Sequence, residues 1–409
     1  MIVSKTPSRA AAAVMLVLLL AACGGRPDGV MEPTTLAAEG TSKVDLLVVT
    51  TRAATGDPRR PFGGERGAAA AMNEVVVSIP PEAVRTPGEI QWPERLPADP
   101  AKSFAVLSDH SIADRDGGDW FRRSGRRRVL LFVHGFNTRY EESVFRFAQI
   151  VHDSGTDFAP VLFTWPSRGS IFDYVYDRES TNWSRDTLEK LLRSAAEAPD
   201  VDEVTIMAHS MGSWLAMEAV RGLALRGGVP KKIRNVILAA PDVDVDVFEH
   251  QILRIGPTPR VTLFVSRDDR ALELSRRLAG GVDRLGAIDP SQEPHRSRLE
   301  RTGVTVLDLT ALETGDRLNH GKFAESPEVV RLLGRRLIAG QKVSEDHVGL
   351  ADRLGAVTMG AAGAIGSAAS LAVTAPITVF DPQARDRLGD RIGDIGRRAG
   401  GAVTPLVVP

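Results

Sequence analysis

The residues able to do covalent chemistry gather around one serine. In Val204-Thr205-Ile206-Met207-Ala208-His209-Ser210-Met211-Gly212, an apolar run enters a tight turn and a helical pattern starts directly behind it. Small residues stand two positions before and two positions after Ser210. Such a turn holds the serine in a strained backbone conformation at a strand end, where bulky neighbours would clash. It also exposes the hydroxyl beside a helix N-terminus, whose free N–H groups favour developing negative charge. The usual pattern is Gly-x-Ser-x-Gly; Ala208 replaces its first glycine and keeps the side chain small. The chemistry indicated is nucleophilic attack by a hydroxyl, which needs a general base and a carboxylate to orient that base.

Candidates for both partners lie downstream. Ser266-Arg267-Asp268-Asp269-Arg270 follows an apolar run, and Asn319-His320-Gly321 follows the last one. Asp269 is the preferred acid, with Asp268 and Asp242 as rivals, and His320 is the preferred base. His295 and His347 read as surface histidines. His209 adjoins Ser210, but the turn should aim it away from the hydroxyl, so it reads as loop packing. A second loop, Leu131-Phe132-Val133-His134-Gly135-Phe136-Asn137, also ends an apolar run. Backbone N–H groups of Phe136 and Met211 are the candidate oxyanion donors. His134 reads as a structural member of its loop rather than the base, and with Asn137 and Trp165 it is placed at the substrate pocket. For Trp165, in Phe163-Thr164-Trp165-Pro166-Ser167, a role in covering the core stays open beside substrate contact. Tyr174, Tyr176, Asp177 and Arg178 follow on the same edge.

The elements that must position these groups alternate. Short β-like runs over Val44–Thr50, Glu74–Ile79 and Phe104–Leu107 are separated by Gly/Pro-rich connections at Gly56–Gly67 and Pro93–Pro100. They read as leading, partly antiparallel strands. From Arg128 strands and helices take turns: strands at Val129–Val133, Val161–Thr164, Val204–Ala208, Val236–Ala239, Val261–Val265 and Val304–Leu309. Helical patterns cover Glu141–Asp153, Arg185–Glu197 (capped by Ser184), Gly212–Leu225 and Glu328–Leu337. Repeated units of this kind predict a mostly parallel sheet with helices on both faces.

Taken in order, His134-Gly135-Phe136-Asn137, Trp165-Pro166-Ser167, Ala208–Gly212 and Ser266–Leu272 resemble a bacterial α/β-hydrolase family of poorly defined function, often described as esterase/lipase-like. The resemblance runs over about Val44–Leu337. It implies an α/β-hydrolase fold, a Ser-Asp-His triad in that chain order and neither metal nor organic cofactor, and it does not fix the substrate, for which a small-molecule ester or acyl compound is the expectation. Acyl transfer, or thioester or amide cleavage, would use the same site, and a non-catalytic envelope lipoprotein on this scaffold is the reading from another class.

The N-terminus reads as an address. Lys5 and Arg9 precede an apolar run, Ala10 to Leu20, too short to span a bilayer and of signal-peptide length. Leu20-Ala21-Ala22-Cys23-Gly24 resembles the lipobox of bacterial lipoproteins, which implies cleavage before Cys23 and its acylation. Each acyl CH₂ buried in a membrane contributes roughly 0.8 kcal/mol. The organisation expected is a signal peptide over 1–22, a flexible tether over 23–42, a hydrolase domain over 43–340 and a Gly/Ala-rich tail over 341–409. Without Asp at position 24, the expected location is the periplasmic side of the outer membrane. The tail segment Leu354–Phe380 carries no charge and reads as a loosely ordered small-residue helix. Cys23 is the single cysteine, which excludes an internal disulfide or a cysteine zinc site. Lys and Arg number 51 against 52 Asp and Glu, a balance that gives nucleic acid no electrostatic footprint.

Overall fold

The structure is a computed structural model, and it describes residues 28–113 and 116–334 with the backbone of 356–358. The signal segment, Cys23, His347 and nearly all of the tail expected over 341–409 lie outside the described residues.

The chain begins with a long hairpin, β1 (Ser42–Asp57) and β2 (Arg60–Ile79), followed by β3 (Ala105–Ser111) and a short helix α1 (Gly117–Ser124). Alternation then sets in: β4 (Arg128–Val133), α2 (Tyr140–Ser154), β5 (Ala159–Thr164), α3 (Tyr174–Glu197), β6 (Glu203–His209), α4 (Met211–Leu225), β7 (Ile233–Ala239) and α5 (Val245–Ile255). It continues through β8 (Arg260–Val265), α6 (Arg270–Leu278), α7 (His295–Thr302), β9 (Thr305–Asp308), α8 (Lys322–Glu325), α9 (Pro327–Leu332) and β10 (Ala356–Thr358). Among the described residues the strands form one sheet in the order β10-β9-β8-β7-β6-β4-β5-β1-β2-β3. The block from β1 to β9 across β5, β4, β6, β7 and β8 is parallel. The pairings at the margins, β1–β2, β2–β3 and β9–β10, are antiparallel.

Burial on both faces explains the uninterrupted apolar strands. In β4, Val129, Leu131 and Val133 enter one core and Leu130 and Phe132 the other. The first core is covered by α3, α4 and α5, through residues such as Leu188, Leu215 and Phe248. The second is covered by α2 and α9, through Phe145, Phe147 and Val329. The chain leaves β4 for β5 on one side and returns to place β6 on the other. The order of strands therefore reverses between β4 and β6, and the crevice outside their carboxyl ends is where open α/β sheets bind ligands. The loops carrying His134–Asn137 and Ser210 both leave the sheet at that point.

Three expectations need correction. The Gly-rich stretch 56–67 belongs to the hairpin, whose turn is only Asp57 to Arg60; its glycines sit where the pairing register slips. Backbone ladder bonds need no apolar side chains, so composition read strand as connection. The helix expected to start behind Ser184 begins at Tyr174. Ser184 is interior: its hydroxyl donates to Ser180 O (2.8 Å) and pairs with Thr51 Oγ1 (2.8 Å). The first turns are polar because Asp177, Ser180, Thr181 and Ser184 are buried against other polar partners, which hides the helical period. Finally, the described part of the expected tether is packed. Val30 and Met31 are buried, and Thr34 bonds Val106 O through its N–H (2.9 Å) and Ala98 O through its hydroxyl (2.9 Å).

Candidate active site

Ser210 joins β6 to α4 with φ 51° and ψ −125°. A non-glycine residue held there stores about 1–3 kcal/mol. The turn is clamped by backbone bonds, Ser210 N–H to Ala239 O (2.9 Å) and Asp242 N–H to Ser210 O (3.1 Å). Close packing explains the glycines on either side. A Cβ on Gly212 would lie 2.2 Å from His134 O, and one on Gly135 would lie 2.8 Å from Ser210 Cβ. The two loops thus touch across the switch point. Ser210 is nearly buried, and its hydroxyl makes no hydrogen bond among the described residues. Met211 is the first residue of α4, so its N–H is one of the unpaired donors of a helix start. The N–H of Phe136 likewise meets no acceptor among the described residues.

Asp269 and His320 are brought together. His320 Nδ1–H donates to Asp269 Oδ2 at 2.7 Å, while Asp269 Oδ1 accepts from Leu272 N–H (2.9 Å) as the N-cap of α6. The carboxylate is buried and the ring partly so. Burial alone would lower the His320 pKa; the charge and hydrogen bond of Asp269, with Asp242 and Asp316 further off, raise it above the ordinary value. The remaining ring nitrogen, Nε2, has no hydrogen-bond partner among the described residues.

The rival acids are occupied elsewhere. Asp268 takes Lys322 Nζ on both oxygens (2.8 and 2.9 Å) and Asn319 Nδ2 (2.9 Å). Asp242 accepts from Ser275 Oγ (2.6 Å) and Tyr174 OH (3.2 Å), and pairs with buried Arg284 at 3.3 Å. His209 lies next to the triad candidates without sharing their bonds. Its Nε2–H donates to His320 O (3.3 Å), and its ring packs 4.6 Å from His320 and 4.5 Å from Phe323. Burial first, and then the neighbouring His320, push its pKa well down, so it stays neutral.

His134 and Trp165 form a buried plate, with ring centroids 4.9 Å apart and nearly parallel. His134 Nδ1–H donates to Gly135 O (2.8 Å), its Nε2 accepts from Trp165 N–H (3.1 Å), and Trp165 Nε1–H donates to His134 O (2.9 Å). Burial and the charge of Arg52 hold the imidazole well below its usual pKa. A cavity of about 430 Å³ is lined by His134, Asn137, His209 and His320 together with Arg146 and Asp316. Neither Trp165 nor Ser210 is among its lining. Trp165 is fully buried, so the structure places it beneath the loop, as core cover, rather than at the pocket wall.

Residues that hold the site but carried no clear sequence signal are buried and polar. Asp316 Oδ2 accepts the N–H groups of His320 (2.6 Å) and Gly321 (2.8 Å), and Oδ1 that of Leu318 (2.9 Å), fixing the turn that presents His320. Asp177 accepts from Ser167 Oγ, Arg168 N–H (3.0 Å) and Asn137 N–H (3.4 Å), tying the loops behind β4 and β5 together. Buried Arg52 donates to Thr138 O (2.8 Å), Ser167 O (2.9 Å) and Thr164 Oγ1 (2.9 Å). Desolvation lowers its pKa to about 10, so it stays charged. Among the described residues no group of three or more His, Cys, Asp or Glu side chains is set to hold a metal ion.

Comparison with curated proteins gives no match. Among solved structures, carboxyl esterase 2 from Tuber melanosporum is similar at 11 % identity and a TM-score of 0.34, over 80 % of this chain and 98 % of that one. A Pyrobaculum calidifontis esterase is similar at 13 % identity and a TM-score of 0.30, over 80 % and 90 %. A "predicted CIB-like hydrolase" from Thermoplasma acidophilum is similar at 13 % identity and a TM-score of 0.32, over 73 % and 100 %. The family model described as an alpha/beta hydrolase of unknown function (DUF900) matches residues 116–336, more than half of the chain and the whole stretch that carries Phe136, Ser210, Asp269 and His320. The chain belongs to this family of alpha/beta hydrolases.

Proposed function

We propose that this chain is a serine hydrolase that cleaves carboxylic esters through an acyl-enzyme on Ser210. The observation that carries the reading is the 2.7 Å bond between His320 and Asp269, formed on the same sheet edge as a serine held at φ 51°. His320 Nε2 takes the Ser210 proton as Oγ attacks the ester carbonyl, and Asp269 stabilises the imidazolium. The oxyanion is received by the N–H groups of Phe136 and Met211; losing one such donor typically costs about 10²–10³-fold in rate. Collapse of the tetrahedral adduct expels the alcohol, which takes its proton from His320. Water, deprotonated by the same ring, then releases the acid. His134 and Asn137 border the cavity on the His320 side, where the leaving alcohol or the acyl group is received.

The cellular part of the proposal rests on sequence. Acylation of Cys23 anchors the domain to a bacterial envelope membrane, on the periplasmic side of the outer membrane. A fluorophosphonate probe tests the chemistry: it labels Ser210 in the intact chain and fails to label Ser210→Ala. Wild-type protein that takes no probe and leaves short-chain p-nitrophenyl esters intact removes the reading. Turnover that prefers an added alcohol, thiol or amine acceptor over water identifies an acyltransferase instead.

A further inference from the structure

We propose that the mouth of the site docks on the surface of the membrane that anchors the chain, through an apolar rim carried by the start of α3 and by α6. The carboxylate of Asp28 takes both Nε (3.2 Å) and Nη2 (2.6 Å) of Arg60, at the tip of the β1–β2 hairpin. β1 pairs with β5 as far as Thr50 and Thr164, and then runs on to Asp57. The hairpin tip therefore projects past the carboxyl edge of the sheet, the edge that carries Ser210. An anchor at Cys23 is five peptide steps from Asp28, a reach of at most about 18 Å. The leaflet is thus held close to the hairpin tip, on the side of the molecule where the site opens.

The rim stands on that side too. Tyr176 OH donates to Gly64 O (3.2 Å) and Arg168 Nε to Glu65 Oε1 (3.0 Å), which fasten the hairpin to the segment that leads from β5 through the first turn of α3. Within that segment Tyr174 turns inward. Its ring meets Phe136 edge-on at 5.3 Å, and its hydroxyl shares a 3.0 Å hydrogen bond with Ser275 of α6. Its chain neighbours turn outward: Phe172 is 91 % exposed and Val175 75 %, with Ile171 exposed beside them. Across the Tyr174–Ser275 bond, α6 presents exposed Leu274 and Leu278. Large apolar side chains on both sides of a reactive crevice mark an interaction surface, and the nearby anchor names its occupant as a phospholipid leaflet. Substrate would then enter from the lipid phase, an acyl ester held in the bilayer. That last step rests on the hydrolase reading, and the docking itself on the lipid anchor.

The test uses the full, membrane-anchored chain reconstituted in phosphatidylethanolamine/phosphatidylglycerol vesicles. One variant carries an environment-sensitive fluorophore on Val175→Cys. Another carries it on Leu225→Cys, at the far end of α4. Brominated lipid is expected to quench the label at 175 at least threefold and to leave that at 225 unchanged. Equal emission from the two positions on anchored protein overturns the docking and leaves the anchor standing. Protein that does not stay with the vesicles overturns both. In parallel, Phe172→Ser is expected to hydrolyse a soluble short-chain ester as wild type does, but a vesicle-embedded long-chain ester at least tenfold more slowly. Equal rates on the embedded ester overturn entry from the lipid phase. A quenched label without any ester turnover supports docking and removes the hydrolase reading alone.

Discussion

Asp269 joins two structures with its two oxygens: Oδ1 caps α6 through Leu272 N–H, and Oδ2 holds His320 through Nδ1. The cap fixes the carboxylate in position, and the carboxylate fixes the tautomer in which Nε2 carries no proton. Helix start and imidazole orientation are therefore set by one buried side chain.

Asparagine retains the capping oxygen but not the charge. Asp269→Asn is expected to keep the stability within about 1 kcal/mol of wild type, since asparagine caps nearly as well. Its kcat on a p-nitrophenyl ester is expected to fall by about 10⁴-fold. Urea unfolding and steady-state kinetics on the same preparation read the two effects. A variant that unfolds early yet retains its rate per folded molecule reverses the assignment.

The pH profile follows from His320. A general base works only when neutral, and the charge of Asp269 raises the pKa of His320 despite burial. Activity should therefore fall as pH drops through a value above the ordinary histidine range. In Asp269→Asn this acid limb should move to lower pH, because the favourable charge is gone. A limb that stays in place in kcat/KM points to another base.

Ser210 should show a trade between stability and function. Its φ of 51° and ψ of −125° strain any side chain, whereas glycine occupies positive φ freely. Relief of about 1–3 kcal/mol of strain outweighs the backbone entropy that glycine loses. Ser210→Gly is expected to abolish turnover and to raise the thermal midpoint. A lowered midpoint argues against a strained turn.

Gly212 permits the two loops to meet. Its missing side chain would sit 2.2 Å from His134 O, a backbone atom fixed by Trp165 Nε1. Gly212→Ala is expected to cost about 3 kcal/mol through overpacking and to lower kcat as the loops separate. Chemical denaturation and ester turnover read this directly, and a neutral result would mean that the loop behind β4 gives way easily.

Stability at acid pH should depend on Asp153, remote from the site. Burial works to raise its pKa, but hydrogen bonds from His152, Gln149 and Gly88 N–H and the charge of Arg85 hold it at about 2. Its partner Arg85 lies 2.7 Å away and is fully buried. A depressed carboxylate contributes stability that is present above its unfolded value and lost as pH falls through the folded one. Asp153→Ala takes the nearer carboxylate from Arg85 and leaves it Glu82 at 3.4 Å, and is expected to cost about 3 kcal/mol at neutral pH. Denaturant midpoints measured from neutral to acid pH should show the gap to wild type narrowing as Asp153 protonates.

What the amino-acid order determined is local. The apolar runs of β4, β6 and β8 are legible because strands buried on both faces need no polar alternation. The turn around Ser210 is legible because only small residues fit beside a strained serine. What only the folded chain decided is which distant groups meet. Asp268 and Asp269 are adjacent and chemically alike; Lys322 claims the first and His320 the second, a choice made by one segment more than fifty positions away. Trp165 reads equally as pocket wall or core until His134 is seen stacked on it. The polar first half of α3, the packed segment at Val30 and Met31, and the supports Asp177 and Arg52 share one cause. Each is stabilised by partners far along the sequence, and a local pattern carries no trace of a partner that arrives only when the sheet is assembled.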